Sequence, residues 1–159
     1  MKNNSLGLPA KETEELVVEL NTLLSSFQIY YQNLRGLHWN IRGKHFFDLH
    51  LKFEELYNDS QIKIDLIAER VLTLGGKPLH TFTDYIANSK LEAGKDISND
   101  VVAIQLILNS LHLLLMQERK IFSNAAKIGD EGTNSMMSDF ISEQEKTNWM
   151  LKAWMEEDI

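Results

Sequence analysis

A chain of 159 residues, 43% hydrophobic and 25% charged, is long enough to bury one sizeable core and is read as a single domain over residues 1–159. The absence of cysteine excludes a disulfide framework and a thiolate metal site. A formal charge of −7 argues against a general affinity for nucleic acid, whose phosphates require Lys and Arg, and suits a protein that attracts cations.

Residues 1–8 are expected to form a short flexible tail; they carry one charged side chain, Lys2, and begin no signal peptide. With no apolar run of membrane-spanning length expected, the assigned compartment is the cytoplasm. Pro9 suits the first turn of a helix, with Glu12, Glu14 and Glu15 near its positive end. Leu16, Leu20, Leu23, Phe27, Tyr30, Leu34 and Leu37 then alternate four-three spacing, the seam of a long bundle helix. His38 closes this helix, and Arg42-Gly43 turns the chain back antiparallel.

The second helix is expected over residues 44–74. Its core stripe is Phe46, Leu49, Phe53, Leu56, Ser60, Ile64, Ile67, Val71 and Leu74, and Gly75-Gly76-Lys77-Pro78 stops it. His50, Tyr57, Asp65 and Glu69 lie beside that stripe, at the edge of a second contact surface. His38, His50, Asp65 and Glu69 together make a mixed nitrogen and oxygen donor set suited to a first-row metal such as ferrous iron. Asp65 and Glu69 are four apart, so their carboxylates share a helix face, about 6 Å apart along the axis. His50 precedes Asp65 by fifteen residues, roughly 22 Å along the same helix. One metal ion cannot touch both ends within one chain. Antiparallel pairing of two copies about a two-fold axis would bring each His pair onto the other copy's Asp/Glu pair, making two equivalent shared sites.

Residues 77–98 form a long connection with one short amphipathic piece around Phe82-Thr83-Asp84-Tyr85-Ile86. A connection this long is explained if it spans the length of a bundle. A further helix over residues 99–127 points Val101, Ile104, Leu108, Leu111, Leu115 and Phe122 inward. The last, over residues 133–156, carries Met137, Phe140, Trp149 and Trp154. Two short turns and one long crossover give an all-α, ferritin-like four-helix bundle with a short extra helix in the crossover. The intrabundle Glu-x-x-His signature is absent, because no Glu has a His three positions on. His112 is read as a packing or helix-surface residue. His45, near the ligand end, is the remaining candidate for a supporting role.

The run LHWNIRGKHFFDLHLKFEELY, followed by DLIAERVLTLGG, resembles the Dps family, the ferritin-like mini-ferritins that protect DNA in starved cells. The likeness extends down to the run from Glu145 to Trp154. It implies a ferroxidase and iron-storage protein, an oxidoreductase acting on iron (Fe2+/Fe3+) with hydrogen peroxide as preferred oxidant. The shell it implies is a homo-oligomeric dodecamer built from two-fold dimers. The implied ligands are His38 and His50 of one subunit with Asp65 and Glu69 of its mate, Trp39 lying by the centre as an acceptor of oxidising equivalents. Glu54 and Glu55 match carboxylates that nucleate mineral. Asp130, Glu131 and Asp139 fall where the family builds acidic pores, with Ser135 in place of an acid found in some relatives. The alternative is a DNA-binding, nucleoid-compacting protein with little ferroxidase role. The sparse charge of the N-terminal tail and the acidic Glu156-Glu157-Asp158 end argue against direct DNA binding.

Overall fold

The computed structural model describes residues 2–156 of the chain. Met1 and residues 157–159, which include part of the tail and of the acidic end, lie outside them. Five helices follow in order: α1 (Ala10–Asn40), α2 (Phe46–Thr73), α3 (Phe82–Asn88), α4 (Asp100–Lys127) and α5 (Glu131–Trp154), with no strand among the described residues. The short links at residues 41–45 and 128–130 make α1–α2 and α4–α5 antiparallel hairpins. The long link at residues 74–99 runs back along the bundle, so α2 and α4 are parallel. This is the ferritin-like topology expected from the spacing of the turns.

Every seam position of α1 is buried: Leu16, Leu20, Leu23, Phe27, Tyr30, Leu34 and Leu37. Phe27 is the hub, meeting Tyr30 and Phe140 edge-on at 6.2 and 6.1 Å. Leu49, Phe53, Ile67 and Val71 on α2 complete this side of the core. On α4 the inward stripe differs from the expected one. Val101 is half exposed and Phe122 is 38% exposed, while Ala103, Ile107, Leu114, Ile121 and Ala125 are buried. Reading Val101 and Phe122 as inward put both ends of the stripe on the wrong face. The true stripe passes through a charged residue, Glu118, which broke the apolar pattern. Trp149 is likewise 52% exposed. By length and composition α4 is apolar enough to span a bilayer, contrary to the sequence expectation, yet its apolar stripe lines the bundle interior.

Polar groups on α1 hold the crossover in place. Asn21 donates to the Lys77 carbonyl at 3.0 Å and accepts from the Leu79 N–H at 2.9 Å. Ser26 accepts from the Lys90 N–H, and Asn33 both donates to the Glu92 carbonyl and accepts from the Gly94 N–H. These bonds satisfy backbone groups that irregular structure leaves without partners. The crossover begins where α2 stops. Gly75, at φ +87°, lets Gly76 N–H reach the Val71 carbonyl at 2.9 Å and Gly75 N–H reach Leu72, a Schellman ending. A Cβ on Gly76 would stand 2.5 Å from Val17, so α1 packs directly on this turn. Residues 2–8, expected as a flexible tail, form a turn in which Asn4 accepts from the Leu6 and Leu8 N–H groups.

The C-terminal end of α2 is tied to the α4–α5 turn by an ion pair whose carboxylate is buried. Arg70 donates to Asp130 at 2.6 Å and to the Thr133 hydroxyl at 2.9 Å. Asp130 also caps α5, accepting from the Thr133 N–H at 3.0 Å. Asp130→Ala removes the cap and leaves the Arg70 guanidinium without its carboxylate. Arg70 is partly solvated, so the loss should be about 2–3 kcal/mol in denaturant unfolding. A loss below about 0.5 kcal/mol would contradict this account of the joint.

Candidate metal centre

The helix ends around the first turn explain how two histidines far apart in sequence meet. The last carbonyls of a helix lack intrahelical partners. At the end of α1, the Arg42 N–H, next in line for the His38 carbonyl, turns instead to Ser98 at 3.0 Å. His50, in the second turn of α2, fills the vacancy: its Nδ1 lies 2.7 Å from the His38 carbonyl. The contact is reciprocal, with His38 Nδ1 2.6 Å from the His50 carbonyl. A carbonyl only accepts, so both Nδ1 atoms carry the hydrogen. In the neutral rings each Nε2 is then left with its lone pair, the state a metal ligand needs. The imidazoles stack at 3.7 Å with planes 11° apart. Phe46 stacks on His50 at 4.9 Å, and Tyr57 stands edge-on to His38 at 5.4 Å.

An aromatic chain continues outward from this pair. Tyr57 meets Tyr31 edge-on at 5.9 Å, and the Arg35 guanidinium lies 5.3 Å from the Tyr31 ring and 4.9 Å from the Trp39 ring. Trp39 itself is 57% exposed. Desolvation and the nearby Glu54 carboxylate raise the Tyr57 phenol above its ordinary pKa, so it stays neutral. Tyr31 and Arg35 were missed from sequence, although Tyr31, Arg35 and Trp39 stand at steps of four on one helix face.

Asp65 and Glu69 are exposed and lie on the same continuous helix as His50, about 22 Å and more from it along the axis. Neither carboxylate makes a hydrogen bond or ion pair with the described side chains of its own chain. Among the described residues, no three His, Asp or Glu side chains converge as a metal site. The structure therefore brings the two imidazoles together and leaves the two carboxylates apart from them, at the other end of α2. Exposed apolar side chains accompany them on α2: Phe47, Leu51, Ile62, Leu66 and Leu72.

The remaining candidates are dispersed. Glu54 sits half-buried beside Tyr57, and Glu55 is paired with Lys52 on the surface at 2.7 Å. Asp139 is exposed on α5, lining a groove of about 410 Å³ with Asp59, Ser135 and Glu143. Glu131 is exposed in the first turn of α5. Asp130, expected among open pore acids, is instead buried with both oxygens engaged by Arg70 and Thr133. His45 precedes α2 and packs edge-on to Trp154 at 5.4 Å, while His112 is exposed.

Comparison with known proteins places this geometry. The family model described as a ferritin-like domain matches residues 17–158. The DNA protection during starvation protein of Porphyromonas gingivalis is 40% identical over 148 residues, covering 93% of each chain. The crystal structure of the Dps protein from Vibrio cholerae O1 superposes with a TM-score of 0.95 at 45% identity, covering 98% of both chains. The chain belongs to the Dps family of ferritin-like proteins. An uncharacterized protein of Haemophilus influenzae is similar to this Dps chain at 42% identity over 153 residues, covering 96% of each. The Vibrio protein is described as a member of a broad superfamily of ferritin-like diiron-carboxylate proteins.

The reciprocal bonds fix one tautomer on each ring. Nitrogen-15 NMR of histidine-labelled Dps protein, without metal, should show His38 and His50 as Nδ1–H imidazoles when neutral. An Nε2–H tautomer at either position would contradict the lock.

Proposed function

We propose that this Dps chain is a ferroxidase and iron-storage mini-ferritin whose centre is shared between two subunits. The observation that carries the reading is the locked His38–His50 pair, with both Nε2 atoms available, on a helix that holds Asp65 and Glu69 out of reach. Ferrous iron binds His38 and His50 of one subunit and Asp65 and Glu69 of its mate. The carboxylates offset the charge of the metal, and the neutral imidazoles donate without a proton to displace at Nε2. The apolar side chains of α2 that stand exposed in a single chain are covered when the second copy docks antiparallel on this face.

Hydrogen peroxide takes one electron from each of two ferrous ions; with two protons it leaves as two waters, and hydroxyl radical is avoided. Ferric product hydrolyses and collects inside a dodecameric shell, with Glu54 and Glu55 as nucleating carboxylates on its inner wall. Trp39, set beside His38 and under Arg35, is placed to take up stray oxidising equivalents before they spread. The chain works in the cytoplasm and protects by removing iron and peroxide. Direct DNA binding is not part of the proposal. A chain of formal charge −7 with only Lys2 charged in its first eight residues offers few cations for counterion release.

Anaerobic ferrous titration followed by peroxide tests this reading, with absorbance and subunit stoichiometry recorded. Wild-type protein should oxidise iron rapidly, and His38→Ala and Asp65→Asn should each slow it by at least about tenfold while retaining helical content. Light scattering should show a hollow multi-subunit particle. An iron-active monomer would overturn the shared centre.

A further inference from the structure

The bundle interior holds an acid that the iron chemistry does not use. Glu118 lies in the apolar stripe of α4, between Leu114 and Ile121, with no solvent exposure. Each neighbouring long helix turns a polar group toward it. Tyr30 comes from α1, Lys63 from α2, and Gln144 from α5, while Arg119 follows it on its own helix. Gln144 donates through Nε2 to Glu118 Oε2 and, at 3.1 Å, to the Phe140 carbonyl. Two buried acceptor oxygens then remain with no partner, Glu118 Oε1 and Gln144 Oε1.

No cation is reserved for this carboxyl. The Lys63 ammonium is committed to Asp59 and Glu143, each at 2.6 Å, and lies 5.3 Å from the Phe140 ring. Arg119 points to Glu145 on the outside at 2.6 Å. An ionised Glu118 would therefore be a buried charge without a dedicated counterion, one of its oxygens accepting no hydrogen bond. One proton on the carboxyl removes the charge.

We propose that Glu118 is held as a neutral carboxylic acid joining α4 to α5 inside the bundle, and that loss of its proton makes this joint a pH-sensitive weak point. Desolvation pushes the carboxyl up to about 8 from an ordinary value of 4.5, against the pull of Gln144, Lys63 and Arg119. Below about 4.5 folded and unfolded chains both hold the proton. Between that value and about 8 the unfolded chain sheds it while the folded chain keeps it, so stability falls as pH rises. Above about 8 the folded chain has lost it too, and the decline from this group stops.

The test uses the full-length assembled protein and its Glu118→Gln variant, which presents a neutral group of similar shape. Hydrogen exchange of α4 and α5 amides reads the opening equilibrium from about pH 5 to pH 9. The wild-type equilibrium, divided by that of the variant, should rise by about tenfold per pH unit and level off above about pH 8. Parallel profiles would overturn the proposal. A second measurement needs no variant: infrared spectra of wild-type shell labelled with carbon-13 at the glutamate carboxyls. A protonated glutamate carbonyl should be present at about pH 7 and vanish as pH rises through about 8. Its absence at about pH 7 would overturn the proposal even if Glu118→Gln fails to assemble.

Discussion

Two backbone carbonyls and two imidazoles hold the α1–α2 turn of this molecule together. The reciprocal bonds between His38 and His50 join the last turn of α1 to the start of α2 and consume both Nδ1 hydrogens. They also remove rotational freedom from both rings, the preorganisation that the proposed role as metal ligands calls for. Phe46 and Tyr57 pack around the pair and keep the rings in place. Because α2 is continuous from Phe46 to Thr73, Asp65 and Glu69 lie at a set distance from His50 along that helix. A helix that carries both halves of the proposed centre cannot close it on itself. In that proposal assembly into pairs is part of the chemistry, with the exposed apolar side chains of α2 as the docking surface.

The rest of the bundle supports this arrangement from a distance. Arg70, the residue after Glu69, anchors the carboxylate end of α2 to the α5 cap through Asp130 and Thr133. The crossover that makes α2 and α4 parallel lies against α1 through Asn21, Ser26 and Asn33. The middle of the bundle also carries buried polar side chains. Lys63, held by Asp59 and Glu143, and Glu118, held by Gln144, are placed among apolar side chains where a simpler core would carry leucine.

Much of this was legible from residue spacing. The seam of α1 is a regular four-three alternation of large apolar residues, and all of its members are buried. The split between histidines and carboxylates follows from counting along one helix. Three things were hidden, each for a physical reason. Glu118 is an acid in sequence and fully buried in the bundle, so it disguised the stripe of α4 and shifted its ends to Val101 and Phe122. Asp130 looked like an open loop acid because its partner, Arg70, is 60 positions away in sequence. The Tyr31–Arg35–Trp39 ladder has helical spacing, but its link to the histidines runs through Tyr57 on the next helix.

The shared centre is tested most directly by mixing two inactive proteins. His38→Ala lacks one imidazole half-site and Asp65→Asn one carboxylate half-site. In a mixed pair, one interface combines both defects. The other takes its histidines from the Asp65→Asn chain and its carboxylates from the His38→Ala chain, and is intact. Co-refolded mixtures should regain peroxide-driven iron oxidation at up to about half the sites of each mixed pair. Confirmed mixed pairs with no recovered oxidation would show that the four ligands do not meet across two subunits.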